Sequence, residues 1–136
     1  MVQVVFSALR VALGFAVGTL FSWGVGQTLQ DFCAPHVPRP TSNDSESLAQ
    51  FLESLPPLAH AGRLLGLGVG VMVGVALVRR MPHGRPMESW TLALLFGLGA
   101  VADVLRIPHG NALSVATVAL VLPAAWMGIR IASRRR

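Results

Sequence analysis

Four apolar stretches end near arginines that fall mostly on one side, and this pattern leaves the chain few ways to fold. Of its 136 residues, 53% are hydrophobic and only 12% charged, against roughly one-quarter charged residues in an ordinary soluble domain. Such a chain cannot cover itself with polar surface, whereas a bilayer solvates apolar helix faces directly. The sequence therefore predicts an all-α fold. It is an antiparallel four-helix transmembrane bundle forming one integral membrane domain over residues 1–136, with spans at about 11–29, 58–78, 87–107 and 111–132.

Val11 to Leu29 is free of charge for 19 residues, or ~28 Å at helical rise, close to the ~30 Å of bilayer hydrocarbon. It is expected to be retained as a span: no basic residue precedes Arg10, no small-x-small cleavage site follows, and Leu29-Gln30-Asp31-Phe32-Cys33 is a poor lipobox. The loop Arg79–Pro86 and the turn Pro108-His109-Gly110 reverse the chain between later spans, and Pro123 is expected to kink the last one.

All eleven basic residues are arginine. With both termini cytoplasmic, Arg10, Arg79, Arg80, Arg85, Arg130, Arg134, Arg135 and Arg136 lie inside and Arg39, Arg63 and Arg106 outside, as the positive-inside rule requires of a bacterial inner-membrane protein. Five of the six acids, all but Glu88, then fall outside. The same placement argues against nucleic acid as a partner, because the arginines sit at helix ends rather than on one solvated face. Cys33 is the only cysteine, which excludes an internal disulfide, a CxxC pair and a cysteine zinc site. No motif for a metal or cofactor is found.

The long loop, residues 30–57, begins with the proline-spaced stretch Pro35 to Pro40 and then predicts a short amphipathic helix on the outer surface. Asn43 is the expected N-cap with Glu46 three residues on, and Leu48, Phe51, Leu52 and Leu55 recur at helical spacing.

Two ladders of small residues run along the first two spans, Gly14, Gly18, Ser22 and Gly26 on one and Gly62, Gly66, Gly70 and Gly74 on the other. In lipid such ridges let helix backbones approach closely, the arrangement of a glycine zipper. The first expectation is that they pack on each other; the sharper one is that they dock a partner.

Charge-free runs in the second and third spans are only 15 and 14 residues, Leu64–Val78 and Ser89–Ala102. Counted from the inner boundary, Arg63 and Asp103 both fall ~4 to 8 Å beneath the outer one. A charge at that depth needs a partner, so Asp103 is expected to pair with Arg63, or with Arg106 one turn away. With His60 and His109 nearby, this is a candidate polar cluster; a clasp satisfying its own charges is the simpler role, and a proton relay, an anion site or a ligand site the alternatives.

The segments Ser54-Leu55-Pro56-Pro57, Arg106-Ile107-Pro108-His109 and Leu122-Pro123-Ala124-Ala125-Trp126-Met127-Gly128 resemble a loosely defined group of short bacterial four-span membrane proteins of unknown function. The resemblance implies an architecture without an activity. That group carries an acid and a histidine at the outer end of its first span, where this chain has Gly26 and Gln30.

Taken together, these features lead to the expectation of an accessory, assembly or stabilising subunit of a larger bacterial membrane complex, with no catalysis of its own. Its partners would be the lipid bilayer and other membrane subunits. The alternative is a small homo-oligomeric transporter or channel with the polar cluster at its outer mouth.

Overall fold

The computed structural model describes residues 1–42, 44–106 and 111–134. Among them the chain is all-helical, with α1 (Val2–Cys33), α2 (Ser45–Ser54), α3 (Pro57–Arg80), α4 (Pro86–Arg106) and α5 (Asn111–Ser133). Asn43, the turn Pro108-His109-Gly110, Ile107, Arg135 and Arg136 lie outside the described residues.

Four of the helices, all but α2, are long and apolar enough to cross a membrane. Only 17–39% of the most apolar stretch of each is buried. A hydrophobic surface of that extent belongs to a multi-pass membrane protein, since lipid is the solvent that tolerates it.

α1 runs to 32 residues, ~48 Å, well past the charge-free stretch that predicts it. Charge marks where lipid ends, and nothing in Val2–Arg10 or Gln30–Cys33 stops a helix. Arg10 lies inside the helix, held by a partner on α4 described below. α3 and α4 each begin on a proline, whose missing N–H is no loss in a first turn. α5 continues through Pro123.

α3 is the central helix. Its most extensive contact is with α1 and its next with α5. On the α1 side the glycines meet backbone to backbone: a Cβ added to Gly66 would lie 2.6 Å from the Gly26 nitrogen, and one added to Gly74 2.6 Å from the Gly14 carbonyl oxygen. The order of these contacts means that residue numbers fall along α3 as they rise along α1. On the α5 side, a Cβ at Gly128 would lie 2.6 Å from the Met72 carbonyl oxygen. Val71, Val75 and Val78 of α3 join Leu92, Ala93 and Phe96 of α4 and Val121, Ala124 and Ala125 of α5 in one buried cluster.

α2 is capped by Asp44, whose carboxylate accepts from the Ser47 amide at 3.0 Å and the Ser47 hydroxyl at 2.9 Å. The cap therefore stands one residue later than the expected Asn43, and Ser47 rather than Glu46 occupies the third helical position. A charged carboxylate is the stronger acceptor and also complements the helix dipole. Leu52, Leu55 and Ala59 are buried together, with Leu48, Phe51, Cys33 and Val37 packed against them, so α2 is fastened to the end of α1 and the start of α3.

Hydrogen bonds from the Ser42 hydroxyl and from the Ser47 amide and hydroxyl hold the Asp44 carboxyl down at about 2 from an ordinary 3.8. A depressed folded-state value means that the cap is fully made above pH ~4 and lost as pH falls through about 2. The Ser47 amide resonance should titrate with a midpoint near 2, and Asp44→Ala should abolish that titration. A midpoint near 4 would show that the cap is not formed.

Candidate functional site

Where α1 and α4 diverge, a cavity of about 480 Å³ opens beneath α2. Its floor is a tilted ring pair, Phe15 and Phe96, with centroids 5.0 Å apart. Thr19, Ser22 and Trp23 of α1 and Leu64 and Leu67 of α3 form the middle of its walls, and Leu48, Phe51 and Leu52 of α2 cover it. Its charged and amide groups are Gln27, Gln30, Arg63 and Asp103.

The Arg63 and Asp103 side chains meet there, Nη2 donating to Oδ2 at 2.7 Å, and so tie α3 to α4. About a third of each side chain is exposed, 33% and 40%, so the pair faces the cavity rather than being sealed away from it. Gly26 of α1 lies level with Arg63, a Cβ there standing 3.9 Å from the Arg63 Cα, an ordinary contact. The neighbouring Gln27 turns its side chain inward, and its Oε1 is buried with no hydrogen-bond partner among the described residues. Thr117 also lines the cavity, but its hydroxyl is committed to the Leu113 carbonyl at 2.8 Å.

Of the five residues expected in the polar cluster, Arg63 and Asp103 are joined directly. His60 sits one turn before Arg63 on α3, half-buried and not part of the cavity wall. Arg106 is exposed at the end of α4, and His109 lies outside the described residues. Among the described residues, no group of three or more His, Cys, Asp or Glu is placed to hold a metal ion. All eight residues of the two small-residue ladders lie along the α1–α3 contact, seven glycines buried and Ser22 half-buried.

A second polar centre, absent from the sequence reading, lies at the opposite end of α4. Glu88 is buried at 5% exposure and accepts Arg10 Nη2 at 2.6 Å, Arg10 Nε at 2.9 Å and the Ser7 hydroxyl at 2.7 Å. The Arg85 amide approaches the same carboxylate at 3.4 Å. A two-pronged guanidinium–carboxylate pair is the strongest form of this contact. It closes α1 onto α4 beside a second, more open cleft of about 690 Å³ along the same two helices. The one signal for it in the sequence is that Glu88 is the sole acid among the arginines of its side.

No family model, curated protein or solved structure matches this chain. The chemistry of the site therefore rests on its own geometry. The cavity combines an apolar, aromatic-floored depth with a mouth that offers both cationic and anionic groups, an arrangement suited to holding an amphipathic molecule. The Arg10–Glu88 pair, closed on itself, fastens helices together.

Proposed function

We propose that this chain is an accessory, assembly or stabilising subunit of a larger membrane complex, with no catalysis of its own. In this reading it forms an antiparallel four-helix transmembrane bundle of the bacterial inner membrane. Both termini are cytoplasmic and α2 lies at the outer surface. The distribution of arginines supports the orientation, and Trp23, Trp90 and Trp126, all exposed, suit the two interfaces. The α1–α3 contact is a glycine zipper within the chain.

One observation carries the reading. With the glycine ladders of α1 and α3 used internally, α4 still presents Gly97 amid exposed Leu94, Leu98 and Val101, and nothing lies within 4 Å of where its Cβ would be. A small residue in a row of large apolar ones is where a neighbouring transmembrane helix can approach closely.

Extraction of the native protein in mild detergent should bring other membrane subunits with it in fixed stoichiometry. Gly97→Leu should strip them off by at least about tenfold while leaving the purified chain's melting temperature unchanged, because the added side chain meets open space. A protein recovered alone at native abundance would sink the proposal. Recovery as a pure homo-oligomer would instead favour the small transporter or channel, for which the cavity beside Arg63 and Asp103 is the supporting observation.

A further inference from the structure

We propose that the cavity under α2 binds one amine-bearing zwitterionic phospholipid of the phosphatidylethanolamine class. The phosphate faces Arg63, the ammonium faces Asp103 and Gln27, and one acyl chain runs down α1 to the Phe15–Phe96 floor. This site is independent of whether the chain has protein partners; it rests on the chain's residence in a membrane.

The dimensions match first. Phe15 and Gln30, the lowest and highest α1 residues of the cavity wall, are ~22 Å apart along the helix. In the proposed topology residues 11–29 alone cross the hydrocarbon, so this cavity is longer than one leaflet. The part an acyl chain fills, from Gly26, level with Arg63, down to Phe15, is ~16 Å, close to the ~15 Å of one leaflet's hydrocarbon. The lipid sits drawn in by the depth of Arg63. Phe15, Trp23 and Gly99 are exposed, which leaves the cavity open sideways between α1 and α4. A lipid can enter from that side and leave its second chain outside.

The headgroup chemistry narrows the class. Arg63 and Asp103 present opposite charges within one hydrogen bond of each other, a pattern complementary to a ligand that itself carries both signs. A purely anionic headgroup would be attracted by Arg63 but repelled by Asp103. Gln27 Oε1, a buried acceptor without a donor among the described residues, calls for an N–H or O–H at this level. A primary ammonium provides three donors for Gln27 and Asp103. A trimethylated choline headgroup has none to give.

The test is native mass spectrometry of the full chain, purified in mild detergent, stripped of lipid and then offered equal amounts of phosphatidylethanolamine, phosphatidylcholine and phosphatidylglycerol. One phosphatidylethanolamine per chain should be retained with at least about tenfold preference over the other two. Soluble glycerophosphoethanolamine, which lacks the chains, should bind at least about tenfold more weakly than the lipid. Asp103→Asn should erase the preference over phosphatidylglycerol. Because that variant also removes an ion pair, Gly99→Leu provides the independent arm. Nothing lies within 4 Å of the Gly99 Cβ position, so the leucine fills the cavity without disturbing helix contacts and should abolish retention in a chain of unchanged melting temperature.

Equal retention of the ethanolamine and choline lipids would overturn the assignment, as would a preference for phosphatidylglycerol. Retention unchanged in Gly99→Leu would place the lipid elsewhere on the surface and overturn it too. Headgroup binding as tight as lipid binding would leave only a phosphate site at Arg63 and likewise overturn it.

Discussion

Replacing Glu88 with alanine is expected to lower the unfolding free energy by about 3 kcal/mol, roughly a hundredfold in the folded-to-unfolded ratio. The carboxylate is 5% exposed and accepts from Ser7 and twice from Arg10. Its loss leaves the Arg10 guanidinium with the Pro82 carbonyl, at 3.4 Å, in place of a two-pronged carboxylate. The figure stands at the lower end of the ~3–5 kcal/mol that breaking a buried pair costs, because 19% of the Arg10 side chain still reaches solvent. The double variant Arg10→Met with Glu88→Leu should regain most of the loss, since it removes both charges and refills the space. Unfolding of the purified chain in mixed micelles, followed by far-ultraviolet dichroism, measures all of these. A change below about 1 kcal/mol for Glu88→Ala would mean that the pair is solvated and fastens nothing.

Valine at Gly66 or Gly70 is expected to separate α1 from α3, at about 3 kcal/mol or more for each, the upper end of overpacking costs. A Cβ at Gly66 would stand 2.6 Å from the Gly26 nitrogen and 2.7 Å from the Ser22 carbonyl oxygen, and one at Gly70 2.6 Å from the Ser22 Cβ. Most of these neighbours are backbone and cannot rotate aside. Gly24 supplies the contrast: nothing lies within 4 Å of its Cβ position, so Gly24→Ala should be neutral or gain up to ~1 kcal/mol from helix propensity. If valine at Gly66 and at Gly24 proved equally harmless, the close contact of the two ladders would not exist in the membrane.

Much of this architecture is legible in one dimension because lipid leaves a chain little choice. Long apolar stretches have to be helices, and counting residues at 1.5 Å each sets Arg63 and Asp103 at a common level, where they meet. The length of α1 was harder to read: Arg10 suggests an end, yet it is a paired residue within the helix. Glu88 does not stand out in the sequence because a lone acid says little about orientation, and its importance appears only once α1 and α4 lie side by side. The cap of α2 falls on Asp44 rather than Asn43; both residue types are common caps, so the one-residue difference is not legible in the pattern alone. The cavity was hidden for a different reason. Its walls come from five helices, and no periodicity in any one of them shows that Gln27 and Asp103 face a common space.

The Arg10–Glu88 pair also has a meaning in time. The two residues are 78 positions apart, so at ~5–20 residues per second their synthesis is separated by about 4 to 16 s. In the proposed topology Arg10 emerges from the ribosome as a bare positive charge and helps to hold the amino terminus on the cytoplasmic side while α1 and α3 insert. Only when the start of α4 arrives does Glu88 neutralise it. In that topology one guanidinium would serve first as an address label during biogenesis and afterwards as a fastener in the finished protein, with the order of translation keeping the two duties apart.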